Sequence, residues 1–327
     1  MTGRKKRNIV VIGGGSGLPV ILRPLRDCNV EVTAIVTVAD DGGSSGVIRN
    51  FMNIVPPGDI RNALVSLSLL PEDFLDIFQY RFDSSDEFFK NHALGNLIIA
   101  AMTEMSGDIF GAVQKLGRYM MISGKVYPVA NVPLVLHAAF TDGSTGVGEH
   151  EITIAHKVIE KLSITTEAGK QPVPTSEVLL AINHADMIVF GPGSLYTSIL
   201  PNLVIPVVGK AVKESPAKKV YIANIMTQKG ETDNYTDASH IKAIYHNVSK
   251  NIIDYVLTNT AVVPEDYIDY QKWNEISTQV KVDTNEDRKL GVTPITGDFL
   301  KLRDQGAFHD GDKIVRKLLD ILDNKIK

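Results

Sequence analysis

Glycine-rich loops that directly follow predicted strands are the feature of this chain that most plainly suggests chemistry. Of its 26 glycines, seven lie between Gly13 and Gly46, and the first loop reads Gly13-Gly14-Gly15-Ser16-Gly17-Leu18. Glycine allows a backbone to approach a ligand closely, and the free N–H groups at a helix N-terminus attract anions. The loop therefore predicts a phosphate-binding site, and the alternative is a tight strand-to-helix turn without a ligand.

Two adjacent carboxylates follow the second predicted strand, in the segment Asp40-Asp41-Gly42-Gly43-Ser44-Ser45-Gly46. Mg²⁺ in proteins prefers a few carboxylates together with phosphate oxygens. Asp40 and Asp41 are therefore the candidate metal ligands, and the alternative is that they cap the following segment. Gly42 to Gly46 also matches the G-x-S-x-G nucleophile elbow, but a second strand so close to the N-terminus is the wrong context for that motif.

Three later segments place polar residues at the end of a strand or the start of a helix. They are His92 to Asn96, Gly191 to Ser198 and Asn224 to Glu231. A lone polar loop is usually only a loop, but loops at successive strand ends share one edge of a parallel sheet, where ligands bind. The candidate nucleotide-binding residues are Gly13, Gly14, Gly15, Ser16, Gly17, Leu18, Asp40, Gly42, Gly43, Ser44, His92, Asn96, Gly191, Gly193, Ser194, Leu195, Tyr196, Thr197, Ser198, Asn224, Thr227, Gly230 and Glu231.

Two other kinds of site fit these residues poorly. The dinucleotide fingerprint expects a third glycine or alanine where Leu18 stands, and an acid about 20 residues on, whereas Asp40 and Asp41 come later. Nicotinamide chemistry would thus rest on the strand–glycine–helix pattern alone. The histidine pairs His150/His156 and His240/His246 are six residues apart, which suits neither H-E-x-x-H nor a zinc finger.

The elements that must position these loops alternate along the chain as short apolar runs and helical patterns. Strands are predicted over Asn8 to Ile12, Val32 to Val38, Met187 to Phe190 and Val220 to Ile225. This alternation indicates α/β structure: a Rossmann-like, mostly parallel, doubly wound sheet with helices on both faces. Val126 to Ile154 carries little helical period and is predicted to be a β-rich insertion.

Four helices are predicted from apolar spacing. The first contains Pro24 and should be short or kinked. The second should begin with Asp59 as its N-cap, after the turn Pro56-Pro57-Gly58. The predicted buried faces are Leu18, Ile21, Leu22 and Leu25; Ile60, Ala63, Leu64 and Leu67; Leu94, Leu97, Ile98, Ala101 and Met105; and Ile314, Leu318 and Ile321.

Composition limits the class of protein. The chain has 327 residues, and 34 basic against 38 acidic residues give a net charge of −4, too small for a dedicated nucleic-acid binder. No apolar run approaches the roughly 18 residues of a membrane span, and the single Cys28 excludes an internal disulfide. We expect a cytoplasmic protein of one α/β domain over residues 1–327, with residues 1–7 a flexible basic tail.

These motifs together resemble one family. The Gly13 to Leu18 loop, the Thr37 to Gly46 segment and Pro56-Pro57-Gly58-Asp59-Ile60-Arg61 are similar to the gluconeogenesis factors (YvcK-like, UPF0052), a branch of the CofD-like 2-phospho-L-lactate transferase superfamily. His92 to Leu97, Gly191 to Ser198 and Asn224 to Thr232 extend the resemblance to residues 8–250. Ser16 stands where threonine is common in the family, which keeps the hydroxyl.

The resemblance implies a cytoplasmic, Rossmann-like protein that binds UDP-sugars such as UDP-N-acetylglucosamine and supports cell shape and cell-wall synthesis during gluconeogenic growth. It implies no required cofactor and leaves open a cell-wall-synthesis protein partner and a homo-oligomer. The alternative is the superfamily's transferase activity, which moves a phospholactyl-type group from a nucleotide-activated donor to a deazaflavin. Mg²⁺ would then bind Asp40 and Asp41, and Asp41 and Arg61 would be the catalytic candidates. No aromatic platform for such a ring is evident among the loops.

Overall fold

The computed structural model describes residues 6–52, 54–83 and 92–326, and this part of the chain forms strands β1 to β14 and helices α1 to α13. The strands are β1 Arg7–Gly13, β2 Val30–Val36, β3 Lys125–Pro128, β4 Leu134–Phe140, β5 Thr145–Val147, β6 Ile159–Thr166, β7 Met187–Phe190, β8 Lys218–Ile222, β9 Met226–Gln228, β10 Tyr255–Asn259, β11 Ile276–Gln279, β12 Thr293–Gly297, β13 Leu300–Arg303 and β14 Gly306–His309. The helices are α1 Leu18–Arg26, α2 Gly43–Met52, α3 Gly58–Leu67, α4 Glu72–Gln79, α5 Leu94–Ser106, α6 Ile109–Tyr119, α7 Glu149–Ile154, α8 Ser176–Asn183, α9 Leu200–Leu203, α10 Pro206–Glu214, α11 Asp237–Asn247, α12 Thr284–Lys289 and α13 Gly311–Leu322.

Seven of these strands form one parallel sheet in the order β12-β10-β8-β7-β1-β2-β3. The chain adds β2 and β3 on one side of β1 and β7, β8, β10 and β12 on the other. The order therefore reverses between β1 and β7, which is the switch point where open α/β sheets bind ligands. The predicted α/β, Rossmann-like fold is confirmed.

The strands of the sheet centre form where the sequence is β-branched and apolar. Ile9 to Ile12 and Met187 to Phe190 are at most 1% exposed, as strands covered on both faces require. The four predicted strands all exist, but β2 and β8 begin and end before their predicted bounds, at Val36 and Ile222. The residues beyond these ends, Thr37 and Val38 among them, belong to the loops at the sheet edge.

The predicted helix faces are buried for α1, α3 and α13 but not for α5. Helix α1 runs through Pro24 over nine residues and packs against α3 and α13. In α5 the buried residues are Gly95, Asn96, Ile99, Ala100 and Thr103, whereas Met105 is 78% exposed. The face is rotated from the apolar one because Gly95 and Asn96 meet Arg61 of α3.

The predicted β-rich insertion at 126–154 is differently divided. Its first strand, β3, is the edge strand of the main sheet, paired with β2. The separate antiparallel sheet is β5-β4-β6, which extends to Thr166, and its β5–β6 connection contains helix α7 rather than further strand. Polar residues Glu149, His150 and Glu151 in this helix hid its period from the sequence pattern.

The N-terminal prediction is tested only in part, since residues 1–5 lie outside the described chain. Arg7 is not part of a tail, because it begins β1 and its guanidinium Nη1 lies 3.2 Å from Asp186 Oδ1. Within the described residues, no single helix has the length and apolar character to cross a bilayer. The helical segments Leu195–Leu203 and Pro206–Glu214 are long and apolar enough only when taken together, and the pair is bent by 80°.

Candidate functional site

Four loops that the sequence placed at strand ends lie side by side. They follow β8, β7, β1 and β2, which are consecutive neighbours in the sheet, so the loops occupy one edge. The β1 and β7 loops flank the switch point. The predicted convergence of the glycine loops is therefore a property of the fold.

The β1 and β7 loops touch through their glycines. A Cβ on Gly17 would lie 2.4 Å from the Pro192 carbonyl oxygen, and one on Gly14 would lie 2.5 Å from Asp59 Oδ2. Gly15 has a φ of +65°, and a Cβ at this position would lie 3.2 Å from Ser198 Oγ. A side chain at Gly14 or Gly17 would not fit, so glycine allows the first loop to pack closely against the β7 loop and against Asp59.

A cleft of about 160 Å³ opens where these loops meet. Predicted residues Ser16, Gly17, Gly193, Ser194 and Asn224 line one side of it. Met226 and Gln228, within the predicted 224–231 segment, also line the cleft. The other side comes from the C-terminal part of the chain, which the sequence analysis missed: Glu275, Ile276, Ala307, Phe308 and His309.

Phe308 supplies the aromatic surface that the sequence did not reveal. Its ring packs edge-on against Trp273 at 5.1 Å between centroids, and the Arg303 guanidinium lies 4.5 Å from its centre. These contacts hold the ring in place beside the glycine loop. No local motif marks Phe308, since only the β13–β14 hairpin brings it to this edge.

The β7 loop presents hydroxyls through a short network. Ser194 donates to Glu231 Oε2 at 2.8 Å, and Thr197 N donates to Ser194 Oγ at 3.1 Å. Burial raises the pKa of Glu231, although the hydrogen bond from Ser194 opposes the effect. Asn202, which the sequence analysis did not select, donates to the carbonyls of Ser198 and Gly13 and so joins the two loops.

Several predicted binding residues are instead packing residues. Leu18, Leu195 and Tyr196 are at most 1% exposed and belong to the core. The Tyr196 hydroxyl is bonded to Tyr235 at 2.9 Å. Thr227 is fully buried, and its hydroxyl accepts from Thr278 N at 3.0 Å, which joins β9 to β11. Gly230 lies against the His156 backbone, where a Cβ would be 2.2 Å from His156 Cα.

The two aspartates after β2 have different roles. Asp41 accepts from the backbone N–H groups of Glu149 and His150 at 3.1 and 2.8 Å, so both its oxygens cap helix α7. Both oxygens of Asp41, which was predicted to be a metal ligand and a catalytic residue, are therefore engaged in hydrogen bonds to the backbone of α7. Asp40 Oδ1 accepts from Gly42 N at 2.9 Å, and its carboxyl group is hydrogen-bonded to that of Glu149.

Asp59, predicted as a helix N-cap, lies within the first turn of α3 and contacts the first glycine loop instead. The N-cap of α3 is Pro57, two residues earlier, and the Asp59 carboxylate accepts a hydrogen bond from the backbone N–H of Gly15. Burial raises the pKa of Asp59 to about 6, with Asp40 adding to the effect. Burial and the Asp40 carboxyl group raise the pKa of Glu149 to about 9.

Asp40 and Asp59 are the pair that could hold a divalent cation together with ligand phosphate oxygens. Burial and the nearby carboxyl groups raise the pKa of Glu149, and a cation at this corner would reduce the repulsion among these groups. Across the described ranges, no group of three or more His, Cys, Asp or Glu residues has the arrangement of a metal centre. The protein alone would therefore supply only part of a coordination shell.

A buried polar chain lies beside the acidic corner. Arg61 Nη1 donates to Asn96 Oδ1 at 2.7 Å, and Asn96 Nδ2 donates to Ser44 Oγ at 3.2 Å. Ser44 Oγ is 2.8 Å from His92 Nδ1. Burial lowers the pKa of Arg61 to about 10, so the group stays charged at neutral pH.

Arg61 is thus a buried cation, 5% exposed, whose Nε has no hydrogen-bond partner. No carboxylate among the described residues lies within 4.0 Å of it. A buried charge without an ion pair is costly, which favours an anionic ligand at this end of the site.

Comparison with known proteins finds relatives over nearly the whole chain. Residues 9–300 match the family model described as 2-phospho-L-lactate transferase CofD. The chain is 46% identical to a putative gluconeogenesis factor of Lactococcus lactis, covering 96% of each chain. It is 45% identical to a gluconeogenesis factor of Listeria innocua, covering 99% of this chain and 98% of that one.

Solved structures give the same result. The crystal structure of protein BH3568 from Bacillus halodurans, described as a member of the UPF0052 family, superposes with a TM-score of 0.91. It is 41% identical and covers 96% of this chain and 100% of its own.

Proposed function

The chain belongs to the 2-phospho-L-lactate transferase CofD family, within its gluconeogenesis-factor branch, and from this we propose that it is a nucleotide-sugar-binding regulator. Its ligand would be a UDP-sugar of the UDP-N-acetylglucosamine type. It would act in the cytoplasm on cell shape and cell-wall synthesis under gluconeogenic growth, through a protein partner of that machinery.

The contact between the two glycine loops carries the proposal. Gly13 to Gly17 and Gly191 to Gly193 meet at the switch point, and Gly17 and Gly193 bring their backbones to the cleft without a side chain. A diphosphate needs such backbone N–H donors at close range. Phe308 offers a fixed ring for a flat base, and Ser194 and Asn224 offer polar groups for a base or sugar.

The decisive experiment is calorimetric titration of the full chain with UDP-N-acetylglucosamine, and with GDP plus Mg²⁺ as comparison. Saturable binding of the UDP-sugar, weakened in Phe308→Ala, supports the proposal. Tyr119→Ala is the control, since this exposed ring at the end of α6 lines no part of the cleft. Failure of wild-type protein to bind the UDP-sugar, with tight GDP binding, would overturn it.

A transferase remains the second candidate because of the acidic corner. Asp40 and Asp59 would hold Mg²⁺, which would supply charge neutralisation for the donor diphosphate. Arg61, buried without an ion pair among the described residues, would stabilise negative charge on the transferred phosphate. Turnover with a nucleotide-activated phospholactyl-type donor and a deazaflavin acceptor, abolished in Asp59→Asn, would establish this activity.

A further inference from the structure

A short segment after β5 crosses the edge of the sheet where the glycine loops end. Residues 148–156 contain α7 and contact two loops, the one after β2 at Asp41 and the one after β8 at Gly230. In the sheet order β8-β7-β1-β2, the strands β7 and β1 lie between these two. Residues 148–156, which we name the strap, therefore run across the ends of both strands that carry the glycine loops.

The strap has the length that this crossing needs. Neighbouring strands are about 4.8 Å apart, so β8 and β2, three spacings from one another, are separated by about 14 Å. From Glu149 to His156 a helical chain advances about 10 Å at 1.5 Å per residue, and side chains supply the rest. The strap is bounded by Gly148 and His156, whose φ values of +95° and +49° turn the chain sharply away from the neighbouring strands.

The first end of the strap is held firmly. Asp41 accepts hydrogen bonds from Glu149 N and His150 N at 3.1 and 2.8 Å. The carboxyl group of Glu149 is hydrogen-bonded to that of Asp40. Ile152, 1% exposed, is the buried residue of α7 and packs within the antiparallel sheet. These contacts fix the start of the strap to the loop after β2.

The second end lies close to its loop but is held by weak polar contacts. A Cβ on Gly230 would stand 2.2 Å from His156 Cα, so the two backbones touch. His156 Nδ1 donates to the Lys229 carbonyl oxygen over a long distance, 3.4 Å. Thr153 Oγ1 is buried and makes no hydrogen bond of ordinary geometry to any described residue. A buried hydroxyl without a partner is costly, which favours any state in which Thr153 finds an acceptor.

The acceptor within reach of Thr153 is the carboxyl group of Glu231. Burial raises the pKa of Glu231, and the Ser194 and Thr153 hydroxyls lower it, so both hydroxyls lie beside this group. Glu231 Oε2 accepts the Ser194 hydrogen bond at 2.8 Å. Ser194 also lines the glycine-loop cleft. A ligand that accepts the Ser194 hydrogen bond would release Glu231, which would then accept from Thr153.

We propose that the strap closes over a ligand bound at the glycine loops, and that this exchange of hydrogen bonds holds it closed. Ser194 donates to the ligand, Thr153 donates to Glu231, and the closed strap slows release of the ligand. The inference rests on the proposed function for the identity of the ligand. The strap, its firm and weak ends and the unpaired hydroxyl are properties of the protein without ligand.

Hydrogen exchange of the full chain, with and without saturating UDP-N-acetylglucosamine, tests the closure. The amides of Ile152 and Ala155 are bonded to carbonyls of the strap. Ligand should slow their exchange by about tenfold or more, because the strap opens less often. Exchange in β4, outside the strap, should stay the same. Equal exchange of the strap amides in the two states overturns the proposal.

Thr153→Val tests the hydrogen bond that holds the strap closed, because it keeps the shape of the side chain and removes the hydroxyl. We expect release of the UDP-sugar to be about fivefold faster by surface plasmon resonance. Stability without ligand should not fall, since the hydroxyl has no partner in that state. Thr145→Val, the same change at an exposed position of β5, is the control. An unchanged release rate, or a loss of stability without ligand, contradicts this role of Thr153.

A third measurement needs no ligand. Gly230→Ala must push the strap away, since the new Cβ would stand 2.2 Å from His156 Cα. Gly143→Ala is the matched control, because Gly143 has a similar φ, +83° against +79°, and nothing within 4 Å of its Cβ position. Exchange of the strap amides should rise about tenfold in Gly230→Ala alone. Equal exchange in the two variants overturns the strap whatever the ligand is.

Failure of the two proposals is separable. If UDP-N-acetylglucosamine does not bind, the nucleotide-sugar function fails, and GDP with Mg²⁺ takes its place as the ligand of the exchange experiment. If the UDP-sugar binds but leaves exchange of the strap unchanged, the nucleotide-sugar function stands and the strap fails.

Discussion

The Asp41 carboxylate accepts a hydrogen bond from the His150 backbone N–H at 2.8 Å, across 109 residues of sequence. Helix α7 lies between β5 and β6 of the antiparallel sheet, and this hydrogen bond attaches it to the loop after β2. Helix α7 thereby brings Glu149 against Asp40. The two capping bonds of Asp41 thus hold Glu149 beside Asp40, near the first glycine loop.

Removing this cap should destabilise the fold. Asp41→Ala leaves the first N–H groups of α7 without their acceptor, and we expect a loss of about 1 kcal/mol in the free energy of unfolding. Asp41→Asn keeps one oxygen acceptor and should lose less. Urea denaturation measures both. If Asp41 were instead a metal ligand, Mg²⁺ would no longer stabilise the Asp41 variants. We expect Mg²⁺ to stabilise them as much as it stabilises wild type.

Gly17 should tolerate no side chain. The methyl group of Gly17→Ala would stand 2.4 Å from the Pro192 carbonyl oxygen, so the two loops must separate. We expect UDP-sugar affinity to fall by more than about tenfold and the melting temperature to fall by several degrees. Gly42→Ala is the matched control, because its Cβ would meet nothing closer than Asp40 Oδ1 at 3.5 Å. Equal titration curves for the two variants would contradict the site.

Asp59 should make the affinity for the nucleotide depend on pH. Whether affinity rises or falls with pH should show whether a metal ion is bound at Asp59. Its pKa is raised to about 6, so it is protonated below and ionised above that pH. The diphosphate of a UDP-sugar is esterified at both ends and does not titrate here. Without a divalent cation, binding should tighten as pH falls through 6, because the repulsion disappears. With Mg²⁺ bound at Asp59, binding should tighten as pH rises.

The control for this experiment is Asp59→Asn, which removes the titrating group and should flatten both profiles. Calorimetry at pH 5, 6, 7 and 8, with Mg²⁺ and with EDTA, provides the data. A wild-type profile that Asp59→Asn leaves unchanged would show that another group is responsible.

Asp287 should destabilise the protein at neutral and alkaline pH. It is 0% exposed and hydrogen-bonded to the equally buried Asp237 carboxyl group, and burial followed by Asp237 raises its pKa to about 7. The folded state therefore keeps a proton that the unfolded chain loses near its ordinary pKa. The contribution of Asp287 to the free energy of unfolding therefore falls as pH rises from about 4 to 7, and then levels off.

Asp287→Asn imitates the protonated acid and should be more stable than wild type by about 1–3 kcal/mol at pH 8, with little difference at pH 4. Urea denaturation of both proteins across this range gives the difference directly. Taking the difference removes the opposite contribution of His240, whose pKa burial lowers to about 4. Asp266→Asn, an exposed change, should leave the curve unaltered. A variant less stable at pH 8 would contradict the proton-sharing pair.

Local pattern was enough to predict the sheet and its glycine loops. Runs such as Ile9 to Ile12 are apolar on both faces. A central strand of a parallel sheet requires this in any such fold, because helices cover both of its faces. Gly13 to Gly17 directly follows such a run, and the parallel arrangement brings strand ends together without further information. The sheet edge as a ligand site could therefore be inferred before any coordinates.

Tertiary structure decided which side chains lie there. The sequence pattern assigned Asp40 and Asp41 to a metal and Asp59 to a helix cap. In the fold Asp41 caps α7 and Asp59 lies against the first glycine loop, because the direction of a side chain at a strand end depends on what packs against it. Glu149 and Phe308 reach this edge of the sheet from segments about 130 and 290 residues after the first loop, through α7 and the β13–β14 hairpin. Contacts of that range leave no periodicity in the chain, so no spacing rule could find them.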